Sequence, residues 1–130
     1  MKIAYTIARL LLGVIFLFFG SNLWFHFLPM GPTPPGPMGQ YILALFASHY
    51  IYAIGFFQIA PALLLLANRY VPLALTVLAA VIVNIDLTHI LMAPSGLPLA
   101  ALVSILWLIA FYRVRAAFSG LFQQRVPEAA

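Results

Sequence analysis

The sequence predicts an all-α membrane fold: a four-transmembrane-helix antiparallel bundle with both termini cytoplasmic and a short interfacial C-terminal helix. Three observations predict it. Hydrophobic residues make up 65% of the chain and charged residues 6%, against roughly 25% charged in a soluble domain. Four apolar segments approach or exceed the about 20 residues that a helix needs to cross a hydrocarbon core about 30 Å thick. With four spans, all six Lys and Arg residues fall on one side, which the positive-inside rule makes cytoplasmic. Three or five spans would scatter them. At 130 residues there is room for a single membrane domain.

The first span is expected over residues 3–28, after Lys2 and around Arg9. Its apolar run is too long for a signal-peptide core and no small-x-small site follows, so it is expected to stay uncleaved. Pro29 opens a loop, Met30 to Gln40, whose Pro32-Thr33-Pro34-Pro35-Gly36 core should be extended. The second span is expected over 41–67, closed by Asn68-Arg69-Tyr70. Pro72 sits where a first-turn proline belongs, so the third span is placed at 71–93. Pro94-Ser95-Gly96-Leu97-Pro98 is a tight connection into the fourth span, 97–113. The uncharged part of that span is about 24 Å long at the helical rise, and snorkelling by Arg113 and Arg115 extends its reach. The tail 116–125 mixes Phe118, Leu121 and Phe122 with Gln123, Gln124 and Arg125, a composition suited to the membrane surface. Packing in lipid favours small residues. Candidates are Gly13, Gly20, Gly55, Ala74, Ala79 and Ala80.

Composition also excludes function classes. The net charge of +4 is spread along an apolar chain and forms no phosphate-binding face, so nucleic acid is not an expected partner; the lipid bilayer is. Cysteine is absent, which removes disulfides, thiolate nucleophiles and Cys-ligated clusters. No nucleophile elbow, P-loop, dinucleotide fingerprint or HExxH occurs, so a catalytic role is left open and any redox chemistry would need a bound group.

Ionisable groups within a membrane span are costly and point to function by default. The stretch Val83-Asn84-Ile85-Asp86-Leu87-Thr88-His89 holds one of two acidic residues and one of three histidines. Asn22 and His26 lie near the outer end of the first span. His49 is expected about 12 Å into the second by helical rise. Asp86 and His89, three apart, share one helix face, and Asn84 and Thr88, four apart, share another. Asp86 has no cation within expected reach, leaving it a histidine, a neutral form, water or a partner subunit. Three readings stay open for Asn22, His26, His49, Asn84, Asp86 and His89. They bond one another and fix helix register; or they line a pocket for a quinone, lipid or other small ligand; or His26, His89 and Asp86 hold a metal or haem, without a ligand-spacing motif. Gln58 and Pro61 are read as a structural kink, the glutamine amide serving groups that the proline frees.

Several of these stretches, in this order, resemble the DoxX-like family of small bacterial four-helix membrane proteins. They are Gly20-Ser21-Asn22 through His26-Phe27-Leu28-Pro29-Met30, the Pro/Gly loop, Leu63 to Pro72, Val83-Asn84 with His89, and Ala93 to Pro98. The resemblance runs from about Arg9 to Phe118. It implies a multi-pass protein of the bacterial inner membrane, in a family that includes associates of thiosulfate:quinone oxidoreductase. Asn22, His26, Asn84 and His89 match recurring family positions. Leu23 stands where many relatives carry Lys, and Gln58 where many carry Glu, which removes a possible intramembrane ion pair. Asp86 and His49 are additions of this chain. The function expected is an accessory or structural subunit of a larger membrane complex, respiratory or photosynthetic, or of a homo-oligomer. The alternative is a quinone- or metal-associated oxidoreductase component with its site in the outer half of the bundle.

Overall fold

A computed structural model describes residues 1–129. Five α-helices and two 3-10 segments make up its regular structure, with no strand among the described residues. They are α1 (Lys2–Phe25), α2 (Pro37–Ala47), α3 (Tyr50–Ala67), α4 (Val71–Leu91) and α5 (Leu97–Val114). The four other than α2 are long and apolar enough to cross a membrane. Each long helix has two long neighbours: α1 packs on α3 and α5, and so does α4, while α2 lies against α3.

Local chemistry sets the helix ends. His26 terminates α1 in the left-handed region at φ 51°, its N–H donating to Asn22 O at 2.8 Å. Asn22 also turns its side chain outward along the chain, Oδ1 accepting the Leu28 N–H at 2.8 Å. Pro37 opens α2 directly after Gly36, so the helix begins inside the expected loop. Asn68 closes α3 in a left-handed cap, a position where asparagine is tolerated. Prolines occupy the first turns of α4 and α5, as Pro72 and Pro98 predict.

One element departs from expectation. The single helix expected from Tyr41 to Ala67 is two, interrupted at Ser48 and His49. The Ser48 hydroxyl donates to Ala44 O at 2.7 Å and lies 3.3 Å from the Tyr50 N–H that it accepts. A side chain thus replaces part of the backbone ladder, as serine does at helix ends. His49 then takes φ 61° and turns the chain into α3. Proline 61, by contrast, sits inside α3 without ending it.

The α1–α3 contact rests on glycine. A Cβ on Gly20 would lie 3.2 Å from Gly55 O, and one on Gly55 would lie 3.1 Å from Gly20 O and closer still to Trp24. The backbones therefore meet where side chains are missing. Gly13 plays the same part against Ala62, and Ala74 is buried on α4. Ala79 and Ala80 do not pack this way; Ala80 is exposed.

The core lies toward the end where α1 begins and α5 finishes. Leu12, Leu65, Leu75 and Leu78 are fully buried there. The tail is a 3-10 segment, Arg115–Phe122, which does not simply lie along the outside. Phe118 folds back into the core, its ring 4.9 Å from Phe111, while Leu121 and Phe122 stay exposed. Trp107 stacks on Phe111 at 5.0 Å and donates its indole N–H to Leu75 O at 2.8 Å.

Arg9 belongs to this end and is more than an orientation signal. It is 8% exposed, and its Nη1 donates to Leu65 O and, at 3.5 Å, to Leu66 O. Leu65 O already accepts the Asn68 N–H at 3.1 Å, and the guanidinium adds a charged donor at the negative end of the α3 dipole. Arg9 of α1 caps α3 from the side.

Candidate functional site

At the opposite end the packing loosens. The buried residues of α4 stop at Ile82, and none of Val83 to Leu91 is buried. Between this half of α4 and the first half of α3 lies a cleft of about 820 Å³. This is within the roughly 300–1,000 Å³ range of small-molecule sites. Ile54 and Phe57 of α3 form one wall, and Val77, Ala80 and Val81 of α4 the other. Tyr41 and Leu45 of α2 and Leu23 of α1 complete it. The lining is apolar except for a few side chains.

Gln58 is the most confined of these. It is 7% exposed, its Cβ packs beside Gly20, and its Oε1 is buried with no hydrogen-bond partner. The expected bond to a carbonyl freed by Pro61 is not made. Its amide therefore does not act as the kink's satisfier. Leaving such a group unpaired costs about 1–3 kcal/mol.

Asn84, Thr88 and His89 line the facing wall. Asn84 Nδ2 donates to Ala80 O at 2.9 Å, and the Thr88 hydroxyl donates to Asn84 O at 2.7 Å. His89 Nδ1 lies 2.7 Å from Ile85 O, and its ring edge rests on Gly96, where a side chain would not fit. The predicted shared face of Asn84 and Thr88 is thus present. Of the options open to Asp86, His89 is not its partner: although the two stand three residues apart, each turns to a different neighbour, His89 to Ile85 O and Asp86 to Ser104. Asp86 meets α5, where the Ser104 hydroxyl lies 2.8 Å from Oδ2. It is not part of the cleft lining.

The remaining candidates are elsewhere. Asn22 and His26 border a second hollow of about 430 Å³, between α2 and the Pro/Gly loop. His49 is an exposed cap at the head of α3, not a residue deep within a span, because the chain breaks there. The rings of His26 and His49 lie 6.2 and 6.1 Å from that of Tyr52. Among the described residues no three of His, Cys, Asp and Glu gather closely enough to hold a metal ion. His26, Asp86 and His89, the metal candidates of the third reading, occupy three separate settings and do not come together as one ligand set.

Sequence reasoning missed Ser104 and the cleft itself. Ser104 is the one serine in a leucine-rich helix without threonine, and only the α4–α5 contact singles it out. The four polar cleft residues come from two helices about 30 residues apart in the chain, so no local spacing reveals them. What the arrangement can do is hold an apolar molecule along the helix walls and hydrogen-bond its polar head at Gln58, Asn84 and Thr88. Compared with protein-family models, with curated proteins and with solved structures, the chain finds no match.

Proposed function

We propose that this chain is a DoxX-like, four-span protein of a bacterial inner membrane that receives a small apolar molecule in the α3–α4 cleft. The four long helices run antiparallel across the bilayer, with both termini and all six cations on the cytoplasmic side. The ligand has the general build of a quinone or a lipid, an apolar body with one polar head. Gln58 carries this reading. A leucine at that position would pack without leaving an orphaned oxygen, so the amide is best accounted for by a partner from outside the chain.

Two measurements test it. Mass spectrometry of organic extracts should find one apolar molecule retained in near-stoichiometric amount by the purified protein. Ala80→Phe, which puts a ring into the cleft, should lose that molecule while keeping its helical content. Retention unchanged by Ala80→Phe would overturn the cleft. Topology is read separately, using the absence of native cysteine. Gly31 and Gly120 stand in open space. Gly31→Cys and Gly120→Cys should label from opposite sides of a sealed vesicle; labelling from one side would break the four-span arrangement.

A second reading, an accessory subunit of a larger membrane complex, is supported by α5. Leu99, Leu102, Ile105, Leu108 and Tyr112 are exposed at three- and four-residue spacing along it. Such a ridge fits a neighbouring transmembrane helix as well as it fits lipid. Copurification of a stoichiometric partner in mild detergent supports this reading, and a lone chain in native membranes removes it.

A further inference from the structure

Asp86 lines neither hollow, and the chain itself gives it little. Oδ2 meets the Ser104 hydroxyl at 2.8 Å, but that hydroxyl also lies 3.0 Å from Ala100 O. Its one proton serves two acceptors. Oδ1 has no partner in the chain and is not shut in. The next cation along α5, Arg113, stands nine residues beyond Ser104, about 14 Å at the helical rise. Lys2, Arg9, Arg69, Arg115 and Arg125 belong to the far end. His89, the next titratable residue on α4, is turned to Ile85 O.

The seam around Asp86 faces out of the bundle. On α4 the preceding turn places Ile82 about 40° to one side, and the following turn places Ile90 about 40° to the other. Ile82 is buried; Ile90 is exposed, as is Val83 beside it. Ser104 stands the same way on α5, between buried Ala100 and exposed Leu108. On the four-span reading Asp86 lies five residues inside the end of α4, about 8 Å deep. An ionisable group at that depth is costly and points to function.

We propose that a transmembrane helix of another chain docks along the α4–α5 seam and brings a lysine to Asp86, an inference that rests on the accessory-subunit reading. Charge complementarity decides the occupant. Lipid tails match Val83, Ile90 and Leu108 but leave Oδ1 unanswered. A second copy inserted the same way brings no Lys or Arg to this level, and across a twofold contact it sets its own Asp86 against the first. One carboxyl oxygen is open and the other is held by Ser104, so the site suits a single-point donor. A guanidinium fork finds only half its match there. The lysine and Asp86 are hydrogen-bonded whichever of them holds the proton. Leu108 also belongs to the exposed ridge of α5, which gives the incoming helix its apolar packing.

The test places the full chain, dye-labelled through Gly120→Cys, in phosphatidylcholine vesicles with synthetic Leu/Ala transmembrane peptides bearing an acceptor dye. Each peptide has its basic flank on the side of the chain's own cations. One carries a single lysine about 8 Å inside the opposite end; its control carries leucine there. Energy transfer should show the lysine peptide associating about tenfold more tightly than the control, the effect of one polar contact between helices in lipid. Asp86→Asn keeps the side-chain shape and should bring that ratio to about one. Moving the lysine two turns toward the basic flank should do the same with the unaltered chain, a check that does not depend on the variant folding. Equal association of both peptides, or a lysine preference that survives Asp86→Asn or the two-turn shift, overturns the proposal. Energy transfer between labelled copies of the chain that Asp86→Asn abolishes overturns it in favour of a second copy. A native partner that copurifies equally with Asp86→Asn also overturns it, and leaves the accessory-subunit reading standing.

Discussion

The two ends of the molecule are built by opposite rules. At one, Leu12, Leu65, Leu75 and Leu78 are fully buried, Phe118 folds in beneath them, and Arg9 ties α1 to the last turn of α3. At the other, α4 buries nothing beyond Ile82, α3 is entered through a left-handed histidine, and a cleft of about 820 Å³ stands between the two helices. The same four helices supply both ends, so composition alone does not make the difference. Side-chain size and glycine placement do. Leucines from α1, α3 and α4 converge at the closed end, whereas Ala80, Asn84 and Thr88 leave α4 thin where it faces α3. The lesson is that rigidity and vacancy are divided along the bundle axis, each where the other is absent.

The largest effect expected from this division is in paired truncations. Leu75→Ala should cost about 2–5 kcal/mol of unfolding free energy in detergent, as fully buried leucines do. Ile85→Ala, on the half-buried cleft wall, should cost less than about 1 kcal/mol, because the cavity it would create already exists. Equal losses would erase the distinction between the ends. Arg9→Met should follow, at about 1–2 kcal/mol: it keeps the apolar stem but removes the charged donor from Leu65 O and Leu66 O. Thermal unfolding with hydrogen exchange on Leu65 to Asn68 locates the damage. The smallest effect should have the opposite sign. Gln58→Leu removes an unpartnered oxygen and should raise the ligand-free stability by about 1 kcal/mol. The same variant should lose hold of the retained molecule. Stability bought at the expense of binding is what a functional amide predicts, and a loss on both counts would mark Gln58 as structural.

Much of the helix plan was legible because hydropathy and length report directly on it. The starts at Pro72 and Pro98, the stop at Asn68 and the glycine contacts all follow from local backbone chemistry. The break at Ser48-His49 was not legible. Residues 41–67 are apolar but for Ser48, His49, Gln58 and the tyrosine hydroxyls, and neither serine nor histidine carries the punctuation of glycine or proline. The interruption depends on a hydroxyl bonding back to Ala44, an event that hydropathy does not register. Gly36-Pro37 was the readable half of that element, a first-turn proline lying inside the stretch taken for loop. The candidate site was legible in its parts and not in its grouping. Asn84 and Thr88 stand four apart on one wall with His89 at its edge, but Gln58 joins them only through the α3–α4 contact. Asp86 was expected among the site candidates, yet the twist of α4 carries it round to Ser104.

The closed end has a consequence for traffic. A molecule lodged beside Gln58 has tightly packed leucine on one side and daylight on the other, so the architecture is a cup and not a pipe. On the proposed reading, whatever enters leaves by the rim it came through, because Leu65, Leu75 and Leu78 are fully buried at the closed end. A resident of such a site would be sheltered, presented or handed sideways, and through-passage is the one fate that the buried leucines deny it.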